Sequence, residues 1–266
     1  GFVGAHLVKN LVEHGYVVRA CVRDTGREDK MAYLQKIADA GPGSVDFFSC
    51  DLYKADEGEY DEAFEGCSAV FHVAADIGSD AATYGKITPL KMYEGIVDMT
   101  AAILESCRKT GTVKRIIYTS SVAAILGRGS SDRAVDHIFS EDDWCGGTYE
   151  TLEERYTNEE GEMLWTNEKQ AYSKGKLDAE RACYAFGEKT GIDVVSICPF
   201  HIMGPLLGVP HNTTWQHRLG MALKGEREME SHGTIKWNII DVRDIAEAQR
   251  LAVESEVATN GSRYCL

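Results

Sequence analysis

A tyrosine and a lysine four residues apart suggest the first chemistry in this sequence. Tyr172 and Lys176 lie in AYSKGKLDAERA, a helical pattern that places both side chains on one face. An unperturbed tyrosine titrates at about 10, and a neighbouring ammonium lowers that pKa. Such a tyrosine can give a proton to a carbonyl oxygen as hydride arrives, and accept it in the reverse reaction. Lys174 also lies nearby, so the spacing alone is a weak motif.

A pair of serines follows a predicted buried strand. Ser120 and Ser121 stand in IIYTSSVAAI, just beyond the strand at 115–119. Ligands of open parallel sheets bind at the carboxyl ends of the strands. A hydroxyl there can hydrogen-bond a substrate carbonyl and stabilise the developing oxyanion. We take Ser121 as the candidate and Ser120 as its rival, although serines also favour turns for simple conformational reasons.

Two glycines at the start of the sequence are typical of a phosphate-binding turn. Gly1 and Gly4 open the first predicted helix. Glycine lets the backbone approach a pyrophosphate closely, and a helix N-terminus supplies N–H groups with partial positive charge. The first glycine of a three-glycine fingerprint and the strand before it would lie upstream of residue 1. We therefore expect the sequence to begin inside the motif.

The end of the next strand indicates which dinucleotide the site prefers. That strand ends in Val22-Arg23-Asp24, where an NAD site would carry a carboxylate for the ribose 2′-hydroxyl. The guanidinium of Arg23 suits a 2′-phosphate, and Lys30 can add a second charge. The sequence therefore predicts NADP(H) as the cofactor.

Strand-like and helix-like segments alternate along the chain. Helices are predicted at 5–14, 28–40, 59–66, 88–109, 168–189 and 242–254, and strands at 16–23, 45–50, 69–74, 115–119, 193–198 and 236–240. Alternation at this spacing indicates βαβ units with right-handed crossovers. The predicted fold class is α/β, a doubly wound Rossmann-type parallel sheet with a small substrate-binding C-terminal lobe and with both ends truncated.

The predicted domains follow from this pattern. Residues 1–199 form an NADP-binding Rossmann domain with the catalytic residues, and 200–266 form a substrate-side lobe interleaved with the last sheet elements, as one structural unit. Residues 127–167 interrupt the alternation, being rich in Gly, Ser, Asp and Glu without a clear period. Loops of this length are usually functional or disordered. We expect 127–167 and 205–234 to form the substrate side.

Composition and charge exclude several other classes. The chain has 266 residues, 44% apolar and 26% charged, which is ordinary for a globular protein. Its formal charge of −14 comes without a clustered basic face, so no nucleic-acid partner is expected. No apolar stretch approaches the ~20 residues of a membrane helix, and no signal peptide is visible. None of the eight cysteines forms a C-x-x-C pair, which predicts no metal site and reduced thiols in a cytoplasmic protein.

The order of short segments along the whole chain resembles that of the extended short-chain dehydrogenases/reductases. These segments are GFVGAHL, VVRACVRD, Asp51-Leu52, VFHVAA, YTSSVAAI, AYSKGKLDAERA, CPFHIMGP, IIDVRDIAEA and GSRYCL. Within that superfamily the chain is similar to the dihydroflavonol 4-reductase and cinnamoyl-CoA reductase group, with its fungal and bacterial aldehyde and ketone reductase relatives.

The resemblance implies roles for individual residues. Ser121, Tyr172 and Lys176 match the catalytic triad. The implied cofactor-binding residues are Gly1, Phe2, Val3 and Gly4 at the pyrophosphate, Arg23 and Lys30 at the 2′-phosphate, Asp51 and Leu52 at the adenine, Val73, Ala74 and Ala75 on the ribose side, Tyr172 and Lys176, and Pro199, Phe200, His201 and Ile202 at the nicotinamide.

Two departures from the family patterns separate this chain from the named plant enzymes. Leu126 stands where flavonoid reductases carry an Asn or Asp that holds the hydroxylated ring. The N-W-Y-C-Y-G-K signature of cinnamoyl-CoA reductases is replaced by EKQAYSKGK. Neither plant substrate is therefore supported by the motifs.

The predicted function is NADPH-dependent reduction of an aldehyde or ketone to an alcohol, with tyrosine as the proton donor. The substrate is a small-molecule carbonyl, flavonoid-like, aromatic or another secondary metabolite, and the protein is a monomer or homodimer. A steroid dehydrogenase/isomerase and a nucleotide-sugar epimerase or dehydratase remain alternatives, although Arg23 argues against the NAD-using sugar enzymes. A non-catalytic NADP-binding sensor is a third alternative, and such sensors commonly lack the tyrosine or lysine present here.

Overall fold

Strands and helices alternate through the computed structural model, which describes residues 1–75, 88–126, 137–145, 168–208, 216, 220–221, 223–226 and 238–266. Helices α1 to α7 span Phe2–Glu13, Glu28–Ala40, Asp61–Phe64, Pro89–Thr110, Ala123–Leu126, Glu168–Thr190 and Val242–Glu254, and a 3-10 helix spans Leu52–Glu57. Strands β1 to β8 span Val17–Val22, Ser44–Ser49, Ala69–His72, Arg115–Thr119, Asp193–Cys198, His201–Met203, Ile239–Asp241 and Arg263–Cys265.

Every strand pairing in the described part of the chain is parallel. The central sheet has the order β3-β4-β5-β8, while β1 with β2 and β6 with β7 form separate two-stranded sheets. The parallel α/β architecture predicted from the alternation of strands and helices is therefore confirmed. Because β3, β4 and β5 are neighbours, the loops that leave their carboxyl ends lie side by side at one edge of the sheet.

The core lies on both faces of the central sheet, with α4 and α6 on one side. Successive residues of a strand point to opposite faces. Ile116 and Tyr118 of β4 accordingly join the large apolar cluster that also includes residues of α4 and α6. Ile117 points to the other face and packs with Ala252 of α7. Burial on both faces explains why the central strands are continuous apolar runs.

The ends of α4 follow from local sequence. Thr88 caps its start by accepting a hydrogen bond from the amide of Lys91 at 3.3 Å, and Pro89 occupies the first helical turn. Gly111 ends the helix with φ of 67°, a left-handed conformation that glycine adopts without a Cβ penalty.

Most predicted elements occur at or near their expected bounds, and the exceptions have short lengths or local causes. Helix α1 begins at Phe2 rather than at residue 5, because Gly1 is its cap. Strands β6 and β8, the four-residue helix α5 and the 3-10 helix were not predicted. Each of those strands has only three residues, which is too short for an alternating pattern to be visible. Most of the predicted 127–167 and 205–234 segments lies outside the described residues.

The helices of the described part of the chain include none with the length and apolar character needed to cross a bilayer.

Arg115, the first residue of β4, ties the amino ends of the central strands to the end of α7. Its guanidinium pairs with Asp193, the first residue of β5, at 3.0 Å. It also donates to the carbonyls of Ala252 and Val253, both at 3.2 Å, and of Ala258 at 2.8 Å. The last carbonyls of a helix have no partner within it, and a cation stabilises that end. Arg115 therefore joins two layers of the fold.

We expect Arg115→Met to lower the free energy of unfolding by about 2–4 kcal/mol, because several partly buried carbonyls and a carboxylate lose their donor. The matched control is Arg108→Met, which removes an exposed ion pair with Glu105 on α4. That change should cost less than about 0.5 kcal/mol. Urea denaturation of both variants measures the difference, and equal losses would contradict the role given to Arg115.

Candidate active site

Helix α6 places the predicted tyrosine and lysine against the carboxyl end of β4. Lys176 is 4% exposed, and its ammonium donates to the carbonyl of Thr119, the last residue of β4, at 2.9 Å. Tyr172 lies one turn earlier, is half-buried and packs against the cluster that includes Tyr118. This is the sheet edge at which open α/β proteins bind their ligands.

The two candidate serines have different partners. The hydroxyl of Ser120 donates to the Glu180 carboxylate at 2.6 Å, so its proton is already used inside the core. The hydroxyl of Ser121 accepts from the amide of Ala123 at 3.1 Å, at the start of α5. A hydroxyl that accepts one bond still has a proton to donate. The geometry favours Ser121 over Ser120 for a substrate contact, and its role remains a prediction.

Burial and neighbouring charges set the protonation of Lys176. Burial lowers the pKa of Lys176 to about 8, because an ammonium loses its hydration in the core, while the carboxylate of Glu180 acts in the opposite direction. The ammonium also lies 5.2 Å from the centre of the Tyr118 ring, a favourable cation–π arrangement. Near neutral pH most Lys176 side chains therefore carry a charge. An ammonium has three donors, and those not bonded to Thr119 fit the hydroxyls of a ribose.

His72 lies beneath this lysine and stays neutral. Its Nε2 is 3.1 Å from the hydroxyl of Thr100, which itself donates to the carbonyl of Ile96 at 2.6 Å. The hydroxyl must therefore accept, and Nε2 of His72 carries the proton. Burial lowers the pKa of His72 to about 3, and the charge of Lys176 acts in the same direction. His72 is a packing residue.

The glycine turn at the start of α1 suits a pyrophosphate. Gly1 caps the helix without a side-chain hydrogen bond, and the first turn holds no acidic residue. A Cβ built on Gly1 or Gly4 would meet nothing within 4 Å, so the space beside the turn is open. Phe2 packs edge-on against His6 at 5.4 Å, and Val3 lies in the same first turn. A helix start with no side-chain cap, no acidic residue in its first turn and an open approach is a site for an anion.

The predicted adenosine side lies where β1 and β2 end. Arg23 follows β1 directly and is exposed. Asp51 caps the 3-10 helix by accepting from the amide of Tyr53 at 3.1 Å, and Leu52 packs against the main core cluster. The side chain of Lys30 lies outside the described residues.

The predicted nicotinamide side follows β3 and β5, the two neighbours of β4. Residues 73–75 leave β3, residues 199–200 connect β5 to β6, and His201 and Ile202 begin β6. The amide of Phe200 donates to the carbonyl of Leu266 at 2.8 Å, which holds this connection against the end of the chain. Sheet order therefore brings both segments to the edge that carries Ser121, although their contacts with a cofactor remain predictions.

Sequence reasoning missed two polar residues that contact the end of β4 from neighbouring helices. Glu180 lies one turn beyond Lys176 and binds Ser120. Gln249 of α7 donates to the hydroxyl of Thr119 at 2.7 Å from the other face of the sheet. The spacing of Tyr172, Lys176 and Glu180 on one helix could have revealed the first of these. A partner that depends on packing between distant elements, such as Gln249, has no comparable signal.

The described residues contain no group of three or more His, Cys, Asp or Glu side chains placed to hold a metal ion.

This fold and these strand-end residues define a dinucleotide-binding α/β protein. The chain belongs to the NAD dependent epimerase/dehydratase family, which matches residues 1–265. The predicted membership of the extended short-chain dehydrogenases/reductases and the Rossmann-type fold are thereby confirmed.

Three relatives illustrate the range of similar proteins. Over 270 residues the chain is 30% identical to cinnamoyl-CoA reductase CAD2 of Medicago truncatula, covering 100% of this chain and 73% of that protein. Vestitone reductase from alfalfa (Medicago sativa) superposes with a TM-score of 0.69 at 28% identity, covering 100% of this chain and 73% of the other. Yeast methylglyoxal/isovaleraldehyde reductase Gre2, complexed with NADPH, superposes with a TM-score of 0.75 at 22% identity, covering 100% of this chain and 75% of the other. At this identity the similarity shows the fold alone.

We expect the stability of the protein to fall in mild acid because of His72. The pKa of His72 is about 3 in the folded state and about 6.5 when unfolded, so the unfolded chain binds the proton first. The stabilising contribution is fully present above pH 6.5 and is lost as the pH falls towards 3, by up to about 1.4 kcal/mol per pH unit.

Replacing His72 by glutamine removes the titration and keeps a donor for Thr100. The free energy of unfolding of His72→Gln, followed from pH 7 to pH 4 with guanidinium chloride, should therefore fall less steeply than that of the wild type. Identical slopes in the two proteins would show that His72 is not the group responsible.

Proposed function

We propose that this protein reduces an aldehyde or ketone to an alcohol, with NADPH as the hydride donor and Tyr172 as the proton donor. The coarser statement, an NADP-dependent oxidoreductase of the extended short-chain group, follows from the family and its reductase members. The observation that carries the finer proposal is the hydrogen bond from Lys176 to the end of β4. It brings α6, and with it Tyr172, to the strand end that continues into Ser121.

Each group has a separate task in this proposal. The cofactor supplies the hydride that is added to the carbonyl carbon. Tyr172 gives its phenolic proton to the carbonyl oxygen, and Lys176 lowers the pKa of Tyr172 by favouring its deprotonated form. Ser121 donates a hydrogen bond to the same oxygen while negative charge develops there. Lys176 also holds the hydroxyls of the cofactor's ribose.

The residues present fit NADP(H). The open glycine turn at Gly4 accepts a pyrophosphate, and the exposed cation of Arg23 at the end of β1 suits the 2′-phosphate. A carboxylate at the end of this strand would instead favour NAD.

We propose that the segments 127–167 and 205–234, most of which lie outside the described residues, form the substrate side, and we assign residues 1–199 to the NADP-binding domain with the catalytic residues and 200–266 to the substrate-side lobe. Both segments follow strands that end at the candidate site. In the described stretch 137–145, the amide of Cys145 donates to the carbonyl of Ala124 at 2.9 Å, next to α5. The relatives named for cinnamoyl-CoA and vestitone support an aromatic or other secondary-metabolite carbonyl.

The decisive experiment compares three variants in carbonyl reduction and in NADPH binding. Tyr172→Phe removes one oxygen, so turnover should fall about 10²–10⁴-fold while NADPH affinity is kept. Ser121→Ala should lower turnover by up to about 10²–10³-fold. Lys176→Met should lower both turnover and NADPH affinity, because it has two tasks. Steady-state rates and fluorescence titration measure these effects, and near-normal turnover of Tyr172→Phe would refute the mechanism.

We also expect a preference for NADPH over NADH that depends on Arg23. Loss of a charge-assisted phosphate contact costs roughly 1.5–3 kcal/mol, so Arg23→Ala should weaken NADPH binding by about 10- to 100-fold and leave NADH binding nearly unchanged. The matched control is Arg27→Ala, at another exposed arginine to which the proposal gives no role. Equal losses for both cofactors in Arg23→Ala would contradict the assignment.

A further inference from the structure

Helix α6 carries a buried carboxylate that the proposed chemistry does not use. Tyr172, Lys176 and Glu180 follow one another at four-residue intervals and therefore lie on the same face of the helix. The side chain of Glu180 is fully buried. A buried charge is costly unless it is paired and hydrogen-bonded, so its surroundings must supply donors.

Glu180 accepts hydrogen bonds from four separate elements, one of them a weak bond from the thiol of Cys198 on β5 at 3.9 Å. The hydroxyl of Ser120 donates at 2.6 Å and the phenol of Tyr184 at 2.9 Å. The guanidinium of Arg263, on β8, donates through Nε at 2.7 Å and through a second nitrogen at 3.3 Å. The carboxylate thus joins its own helix to the end of β4 and to β8.

Arg263 connects the pair to residues 141–144, which belong to the described stretch 137–145. Its side chain is 4% exposed, and it donates to the carbonyls of Glu141 at 3.0 Å, of Ala124 at 3.3 Å and of Asp143. Its guanidinium also lies 3.8 Å from the ring centre of Trp144, in a cation–π contact. One arginine therefore holds α5 and residues 141–144 against α6.

Stability alone does not account for this arrangement. Replacing a buried ion pair by apolar side chains of similar volume is often neutral or stabilising, because the attraction barely offsets the lost hydration. The Glu180–Arg263 pair instead fixes the positions of the segments that it joins. Lys176 already holds the carbonyl of Thr119, and Glu180 holds the hydroxyl of Ser120, the next residue. Both bonds act on the two residues immediately before Ser121.

We propose that Glu180 and Arg263 are a positioning pair that sets Ser121 relative to Tyr172 and keeps residues 141–144 docked on the same helix. The inference rests on the proposed carbonyl reduction, because only there do Ser121 and Tyr172 act on one oxygen. Glu180 and Arg263 touch neither substrate nor cofactor in this account. They act through Ser120 and through the backbone of the neighbouring segments.

Glu180 has a second effect, on the charge of Lys176. Its carboxylate favours the ammonium form and opposes the effect of burial. The other titratable groups around the ammonium are Cys183 on α6, Cys198 on β5, Tyr118 on β4 and His72 on β3. Burial raises the pKa values of the thiols and of the Tyr118 phenol and lowers that of His72, so all four are neutral near pH 7. Arg263 partly offsets the carboxylate.

The first test separates positioning from folding. Ser120→Ala removes one hydroxyl and leaves the Glu180–Arg263 pair in place. We expect kcat to fall about ten-fold, because small displacements of reacting groups are costly. The KM for NADPH and the urea midpoint should remain close to those of the wild type, since neither depends on the exact position of Ser121.

The second test compares two arginines that make similar sets of bonds in different parts of the fold. Arg263→Met and Arg115→Met each remove a guanidinium that pairs with a carboxylate and several carbonyls, Arg263 beside the candidate site and Arg115, which is partly buried, at the amino ends of the central strands. Both should be destabilised, but only Arg263→Met should lower kcat, measured well below the melting temperature. Equal kcat losses in the two variants would mean that general loss of stability, and not positioning, causes the effect.

The third test does not require turnover. Glu180→Gln should lower the pKa of Lys176 by about one unit, measured by NMR of 13Cε-labelled lysine and assigned with Lys176→Met. The alkaline limb of the kcat/KM profile should move in the same direction by a similar amount. An unchanged lysine titration in folded Glu180→Gln, or a wild-type kcat in Ser120→Ala, would overturn the positioning pair.

The outcomes also distinguish this inference from the proposed function. A wild-type protein that binds NADPH but reduces no carbonyl compound would remove the proposed reaction and, with it, the catalytic purpose of the pair. A wild type that is active, with Tyr172→Phe inactive and Ser120→Ala and Glu180→Gln unaffected, would leave the reaction intact and overturn the positioning pair alone.

Discussion

The hydrogen bond from the buried ammonium of Lys176 to the carbonyl of Thr119 is the contact on which the candidate site depends. It joins the long helix α6 to the carboxyl end of the strand that continues into Ser121. Together with the hydrogen bond from Ser120 to Glu180, it fixes the helix that carries Tyr172 against the serine segment. The contact requires the lysine stem to cross the apolar layer between helix and sheet, and this same burial lowers the pKa of Lys176 to about 8. The position of α6 and the lowered pKa of Lys176 therefore both follow from burial of the lysine side chain between helix and sheet.

Sheet order supplies the rest of the geometry. Because β3, β4 and β5 are adjacent and parallel, the segments after each of them meet at one edge without any long-range contact being specified for that purpose. The strand order follows from burial of apolar runs on both faces and from the helices that cover them. Proteins with this fold can therefore carry different residues at the strand ends while the arrangement of the strands stays the same, and in this way one fold serves many reactions.

Much of this could be predicted from the sequence because the signals are periodic or local. Continuous apolar runs predicted β4 and β5, a helical period predicted α6 and α7, and the Tyr172–Lys176 spacing indicated a shared helix face. The three-residue strand β8 could not be predicted, since it is defined only by pairing with β5. Ser121 was predicted as the candidate and Ser120 as its rival, although no side-chain property separates two adjacent serines. Only the position of Glu180, sixty residues away along the chain, commits the hydroxyl of Ser120 to the core.

The buried charges of Lys176, Glu180 and Arg263 stabilise one another and must be considered together. Lys176 alone would lose its proton more readily as the core closed around it, and Glu180 alone would be an uncompensated carboxylate in the same core. Glu180 favours the lysine ammonium, Arg263 satisfies Glu180, and the carbonyls of residues 141–143 with the ring of Trp144 satisfy Arg263. The chain thereby pairs the lysine ammonium one helical turn beyond Tyr172, and Arg263, the last member of that series, holds residues 141–144.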